Sequence, residues 1–243
     1  SLVVADDDEQ PRWRLLQTVG AYARTELAAC GEEDAIRAAH ARYFLALAEQ
    51  AAPQLAGREQ AAWLTRLETE HANLRAALRW AQVSDAREVG LRLAGALARF
   101  WEVHGHLHEG QRWLEEMLAM PGAERRPELA ALRATALHGA GLLAYRLGDH
   151  ARAVALGADC VALRRALGDT QGLAATLNNL GNVAIRQGDL ARAAAYLAES
   201  VALQRACGDA VRLAAMLNNV SNVACMQGDY AQAVALFTES LMV

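Results

Sequence analysis

The chain has 243 residues, is 53% hydrophobic but only 5% aromatic, and carries a formal net charge of −4. Ala and Leu supply most of the apolar mass, the composition of packed helices rather than sheets. The negative balance argues against a nucleic-acid surface, since phosphate binding needs a basic patch. Lysine is absent, which excludes a GxxxxGK[ST] phosphate loop within these residues. Four widely spaced cysteines (Cys30, Cys160, Cys207, Cys225) contain no CxxC pair. They predict buried thiols in a cytoplasmic chain rather than a disulfide framework or a zinc site. No apolar run reaches the ~18 residues of a membrane span, and no signal-peptide pattern is present.

In chain order, "SLVVADDDEQPRWRLL" (1–16) predicts a short β-hairpin: Leu2–Ala5, an acidic turn over Asp6–Pro11, then Arg12–Leu15. Helical periodicity follows from Gln17 to Ala29, stopped by Gly31. It resumes over about 33–50, breaks at Pro53–Gly57 and continues over about 59–82. Further helices are expected over about 86–104, ending at "HGH", and about 108–119, ending at Met120–Pro121–Gly122. All five tryptophans lie between positions 13 and 113. Trp101 and Trp113 flank Gly105 at helix-pair spacing and are expected in the core of a degenerate helix pair.

Beyond about 127 the chain repeats itself. "LNNLGNVAIRQGD" (177–189) and "LNNVSNVACMQGD" (217–229) agree at nine of thirteen positions, 40 residues apart. Leu137, Leu177 and Leu217 share this register, as do the pairs Gly148–Asp149, Gly188–Asp189 and Gly228–Asp229. A second set, Gly168–Asp169 and Gly208–Asp209, falls between them. Each unit therefore reads helix, Gly-Asp turn, helix, Gly-Asp turn, with Gly ending one helix and Asp capping the next. Such units bury their apolar faces by stacking into a solenoid.

Within each unit, Leu180–Gly181, Gly188–Asp189, Ala193 and Leu197 resemble the tetratricopeptide repeat. The resemblance places Gly181, Ala193 and Ser200 where paired helices touch most closely, with Ser221, Ala233 and Ser240 next. Gly141, Ala153 and Cys160 take those places in the earlier unit. The period is 40 rather than about 34 and the terminal proline is absent, as in kinesin-light-chain-like and MalT-like repeats. "PRWRLLQTVGAYARTEL" (11–27), "EHANLRAALRW" (70–80) and "GHLHEGQRWLEEML" (105–118) resemble bacterial transcriptional regulators of the signal-transduction ATPase type. That resemblance implies a winged-helix remnant at 1–30, a helical linker with degenerate pairs at 31–122 and three long repeats at 123–243. The chain starts at Ser1 and stops at "ESLMV" inside a helical pattern, so it reads as a piece of a longer protein, with an ATPase upstream.

The expected fold class is thus an all-α tetratricopeptide-type superhelix with a short N-terminal hairpin. Asn178, Asn182 and Arg186 lie at i, i+4 and i+8, on one helix stripe, and Asn218 and Asn222 repeat it. In tetratricopeptide proteins the corresponding face lines the concave groove, where asparagine amides can clamp a peptide backbone. Asn179 and Asn219 are assigned to hydrogen bonding between repeats. The first clear repeat presents His138, Leu142, Tyr145 and Arg146 on the same face, and the last places Cys225 and Met226 where Ile185 and Arg186 stood. The candidate ligands are therefore Asn178, Asn182, Arg186, Asn218, Asn222, His138, Tyr145 and Arg146.

"HGHLH" (His104, His106, His108) raises a metal reading, but it spans a turn, lacks cysteine and has only Glu102 and Glu109 nearby. No metal or cofactor is expected. His71 reads as a packed or capping histidine, and Glu68 and Glu70, two apart, as solvated surface rather than paired catalytic carboxylates. Cys30 has no histidine beside it, and no enzyme signal emerges. The expected function is a non-catalytic sensor arm that binds a peptide, a protein segment or a small effector in the groove. It would pack against the upstream ATPase domain, with no nucleic acid bound through this fragment and no membrane. The alternative is a constitutive peptide-docking scaffold without a switch.

Overall fold

The computed structural model describes residues 3–6, 12–15, 17–122 and 126–243. Strands β1 (Val3–Asp6) and β2 (Arg12–Leu15) pair antiparallel, with Val3 opposite Leu15 and Asp6 opposite Arg12. Leu2 and residues 7–11 of the expected acidic turn lie outside the described residues. The rest is a train of helices: α1 (Gln17–Cys30), α2 (Glu33–Ala51), α3 (Gln60–Thr69), α4 (His71–Val83), α5 (Arg87–His104) and α6 (Leu107–Leu118). After them come α7 (Ala130–Arg146), α8 (His150–Leu167), α9 (Thr170–Arg186), α10 (Leu190–Cys207), α11 (Ala210–Gln227) and α12 (Tyr230–Met242). Short 3-10 helices at Ala52–Ala56 and Pro127–Leu129 carry the prolines at 53 and 127 in their first turns.

One expected helix is two. The 59–82 segment breaks at Glu70, between α3 and α4. The break lets α3 meet the 3-10 turn and α5 while α4 turns to lie on α2.

The Gly-Asp pairs build the solenoid. Gly148, Gly168, Gly188, Gly208 and Gly228 all take positive φ, between +68° and +84°, and each separates two helices. That conformation is open to glycine at little cost. Each following aspartate accepts a hydrogen bond from the backbone N–H three residues on, at 2.9–3.1 Å, satisfying a donor the helix start would otherwise leave free. Replacing Asp189 by Ala should therefore lower stability by about 1 kcal/mol, with Asp189→Asn retaining most of it. Urea melts read this directly, and an unchanged midpoint for the Ala variant would remove the cap from the account.

Helices then pair α7 with α8, α9 with α10 and α11 with α12. Close approach depends on missing side chains. A Cβ on Gly181 would sit 2.5 Å from Leu197 Cγ. The small donor on each second helix reaches the partner helix in the same way every time. Cys160 Sγ donates to Ala134 O at 3.3 Å, Ser200 Oγ to Ala174 O at 2.8 Å and Ser240 Oγ to Ala214 O at 3.1 Å. A continuous apolar core runs from α2 to α9, including Phe44, Leu74, Leu97, Phe100, Trp101, Leu114, Leu143 and Leu156. Smaller clusters around Leu197 and Leu217 continue it through the later repeats. Trp101 and Trp113 are both buried there.

Candidate functional site

Successive first helices α7, α9 and α11 are neighbours joined by side chains, His138 to Thr176 and Asn219 to Asn178. The second helices are bridged by long side chains: Arg165 to Glu199 at 2.6 Å and Arg205 to Glu239 at 2.7 Å. The first helices thus form a connected row, on which all eight candidate residues stand.

Their surroundings divide them. His138 is half-buried, with Nδ1 3.3 Å from Thr176 Oγ1 on the next repeat. Burial, together with the Arg164 charge, pushes its pKa down to about 4. Thr176 also meets Cys160 Sγ at 3.4 Å, and burial raises the Cys160 pKa, so this thiol acts as a small core donor. Asn178 Oδ1 accepts from Asn219 Nδ2 at 2.8 Å, and Asn218 Oδ1 accepts from Ser240 Oγ at 3.1 Å. Asn219 thereby joins two repeats, whereas Asn179 has no hydrogen-bond partner among the described residues. Arg146 pairs with Glu102 at 2.6 Å and lies over the Tyr145 ring at 6.0 Å. Arg186, fully exposed, reaches toward Tyr145 one repeat back, and that interaction raises its pKa.

Among the four candidate asparagines, Asn182 and Asn222 are the two left unengaged. Asn182 is half-buried and Asn222 exposed, and neither amide has a protein hydrogen bond among the described residues. A small cavity beside the row, lined by His138, Leu142, Thr176 and Asn179 among others, measures about 10 Å³. That is roughly the space of one water. It excludes an effector molecule at that point.

Two clusters join residues that the sequence reading left apart. The Glu102 carboxylate is 3% exposed and holds both Arg99 (2.5 Å) and Arg146 (2.6 Å), tying α5 to α7. The second cluster gathers Glu68, His71, His104 and His106. Glu68 is therefore more than solvated surface: His106 Nε2 lies 2.8 Å from its Oε2. Burial works to raise its pKa, but the His106 hydrogen bond and the charges of His106, His104 and His71 outweigh that and lower it. His71 is packed, as its sequence context suggests, edge-on to Phe100 at 5.5 Å. The 38-residue gap between Glu68 and His106 hid the convergence, and only the i, i+3 spacing of Glu68 and His71 hinted at it.

Residues 132–206 and 172–242 match the family described as tetratricopeptide repeat. With the paired helices and Gly-Asp turns, this makes the C-terminal half a tetratricopeptide-repeat domain, a fold that serves as a non-catalytic interaction scaffold. Over 182 residues, 73% of this chain, it is 34% identical to a protein of Mycobacterium tuberculosis named "Putative HTH-type transcriptional regulator". The same identity and coverage hold for a protein of that name from Mycobacterium bovis. The domain is thus distantly related to such regulators, and the chain spans 20% of their length. Among solved structures, BtubC (BKLC) from P. vanneervenii superposes with a TM-score of 0.66 at 20% identity, covering 90% of this chain and 89% of that one. The likeness shows the fold. No helix among the described residues is long and apolar enough to cross a membrane.

Proposed function

We propose that the chain is the sensor arm of a multidomain, ATPase-type transcriptional regulator and binds an extended protein segment along its first-helix row. The observation that carries this reading is the pair Asn182 and Asn222. They recur one repeat apart on that row, and their amides are left without protein partners while Asn178, Asn218 and Asn219 are engaged. Each free amide offers a donor and an acceptor, the complement of a peptide backbone. Arg186 and Tyr145 add a cationic and an aromatic contact beside them. The kinship with HTH-type regulators supports the regulatory setting. In that setting β1–β2 and α1 are the end of a winged-helix domain, and the bound segment shifts how the arm packs on the ATPase. Such a shift requires the ligand to prefer one arrangement over the other.

The test replaces Asn182 and Asn222 by Ala, singly, in the full regulator that carries this segment. Folding should change by less than about 0.5 kcal/mol, since neither amide is engaged. Each lost hydrogen bond should cost about 0.5–1.5 kcal/mol of binding, roughly a 2- to 12-fold rise in Kd, read as a weaker reporter response at the regulated promoter. A stability loss above about 1 kcal/mol in both variants would make these residues structural and defeat the assignment. A full response with weakened segment capture would instead describe a docking scaffold without a switch.

A further inference from the structure

The α3–α4 junction and the α5–α6 turn meet in a cluster that the groove does not use. Glu68 stands near the end of α3, His71 opens α4, and His106 precedes the first residue of α6. One ligand atom from each lies within 4.8 Å of the others. His106 Nε2 is 2.8 Å and His71 Nδ1 3.9 Å from the same oxygen, Glu68 Oε2. Donors around a tetrahedral zinc, with bonds of ~2.0–2.1 Å, stand about 3.3 Å apart. The two observed distances bracket that edge, so small side-chain rotations would complete the set.

His71 supplies the independent argument. Its side chain is only 10% exposed, and its buried Nε2 makes no hydrogen bond among the described residues, while Nδ1 faces the Glu68 carboxylate. Nε2 lies 3.3 Å from Glu109 Oε1 without hydrogen-bond geometry, and Nδ1 faces Glu68 at ion-pair range. Buried polar groups without partners are uncommon and costly. A cation at Nδ1 would place the ring proton on Nε2, and the small ring rotation that brings Nδ1 to the metal would let Nε2–H find Glu109. Glu109 is itself fixed by both Arg75 nitrogens and by Trp113 Nε1. Carboxylates placed this way behind a ligating imidazole orient it and raise its basicity.

We propose that Glu68, His71 and His106 bind one divalent transition-metal ion of the zinc type, clipping the α3–α4 junction to the α5–α6 turn. Two imidazoles and one carboxylate suit Zn²⁺ and leave its fourth position open. His104, with Nδ1 3.7 Å from Glu68 Oε2 and its ring stacked parallel on His106, stands beside that open position. The clip would stiffen the linker from which the repeats extend, since a ligand bound only by the folded state stabilises it.

The test uses the 243-residue chain after chelator treatment, titrated with ZnCl2 by calorimetry and with Co²⁺ by absorption. The expected result is one equivalent of Zn²⁺ bound at micromolar strength, with a raised melting temperature. Co²⁺ should give visible ligand-field bands of a tetrahedral site and no thiolate charge-transfer band. Glu68→Gln and His106→Gln should each weaken uptake ~10-fold or more while circular dichroism stays helical. Absence of saturable uptake by the wild-type chain overturns the proposal. So does uptake unchanged in both variants, or a thiolate band that moves the metal to the cysteines. The cobalt spectrum needs no variant, so a misfolded mutant cannot leave the question open.

Discussion

Trp101→Ala should cost about 3–5 kcal/mol, the largest single effect expected in this chain. Trp101 is 1% exposed and stands on α5 where the linker pairs join the repeats. Its Cβ and Cδ2, with Leu143 Cδ1 from α7, would each lie 2.7 Å from a Cβ placed on Gly110, so three helices close around one small residue. Removing the indole leaves a void that these backbones cannot collapse to fill. The loss should not stay in α5. Hydrogen exchange should accelerate in α7 as well, because solenoid units draw their stability from contacts with their neighbours. Urea melts followed by circular dichroism give the magnitude. A loss below about 1 kcal/mol, or exchange changes confined to α5 and α6, would show that the linker and the repeats are not one packed unit.

The second large effect is a pH dependence centred on His138. In the unfolded chain its pKa is near 6.5, and in the fold burial and the Arg164 charge hold it at about 4. Between those values the unfolded state binds a proton that the folded state refuses. Stability is therefore full above about pH 6.5 and falls as the pH drops toward 4. Integrated from pH 7.5 to pH 5, this one group removes about 2 kcal/mol. His138→Asn installs the residue found at 178 and 218 in the same register and takes the titration away. The wild-type chain should thus lose about 2 kcal/mol more than the variant between those two pH values. Using the difference cancels the other histidines and the carboxylates, which titrate in both proteins. Equal losses in the two would mean that His138 is solvated well enough to protonate in place.

The groove and the linker differ in how much of each could be read in advance. The 40-residue register, the Gly-Asp turns and the small residues at Gly181 and Ser200 are local signals. A positive-φ glycine and a capping aspartate act within one turn of chain, so their spacing alone dictates helix, turn, helix. Stacking then follows, because each unit leaves an apolar face uncovered. The eight candidate residues were likewise placed on one row by periodicity. Periodicity could not say which of them the neighbouring repeats would use. Asn178 and Asn182 have the same residue type and lie one turn apart, yet only Asn178 meets a donor, since Asn219 from the next repeat comes within 2.8 Å of it.

The linker yielded less, and for a related reason. No glycine or proline marks a helix break at Glu70, where the structure separates α3 from α4. Arg146, 44 residues from Glu102 in sequence, closes over that carboxylate, a contact no local spacing announces. Glu68, His71 and His106 come together only because two turns pack side by side. The sequence by itself determined the helical class, the repeat and which residues share one stripe of the first helices, since those depend on helical periodicity and local turn signals. The tertiary structure alone decided which polar groups are consumed and which are left free. Hydrogen-bond reach is about 3 Å, and only the packing of distant segments sets distances that fine.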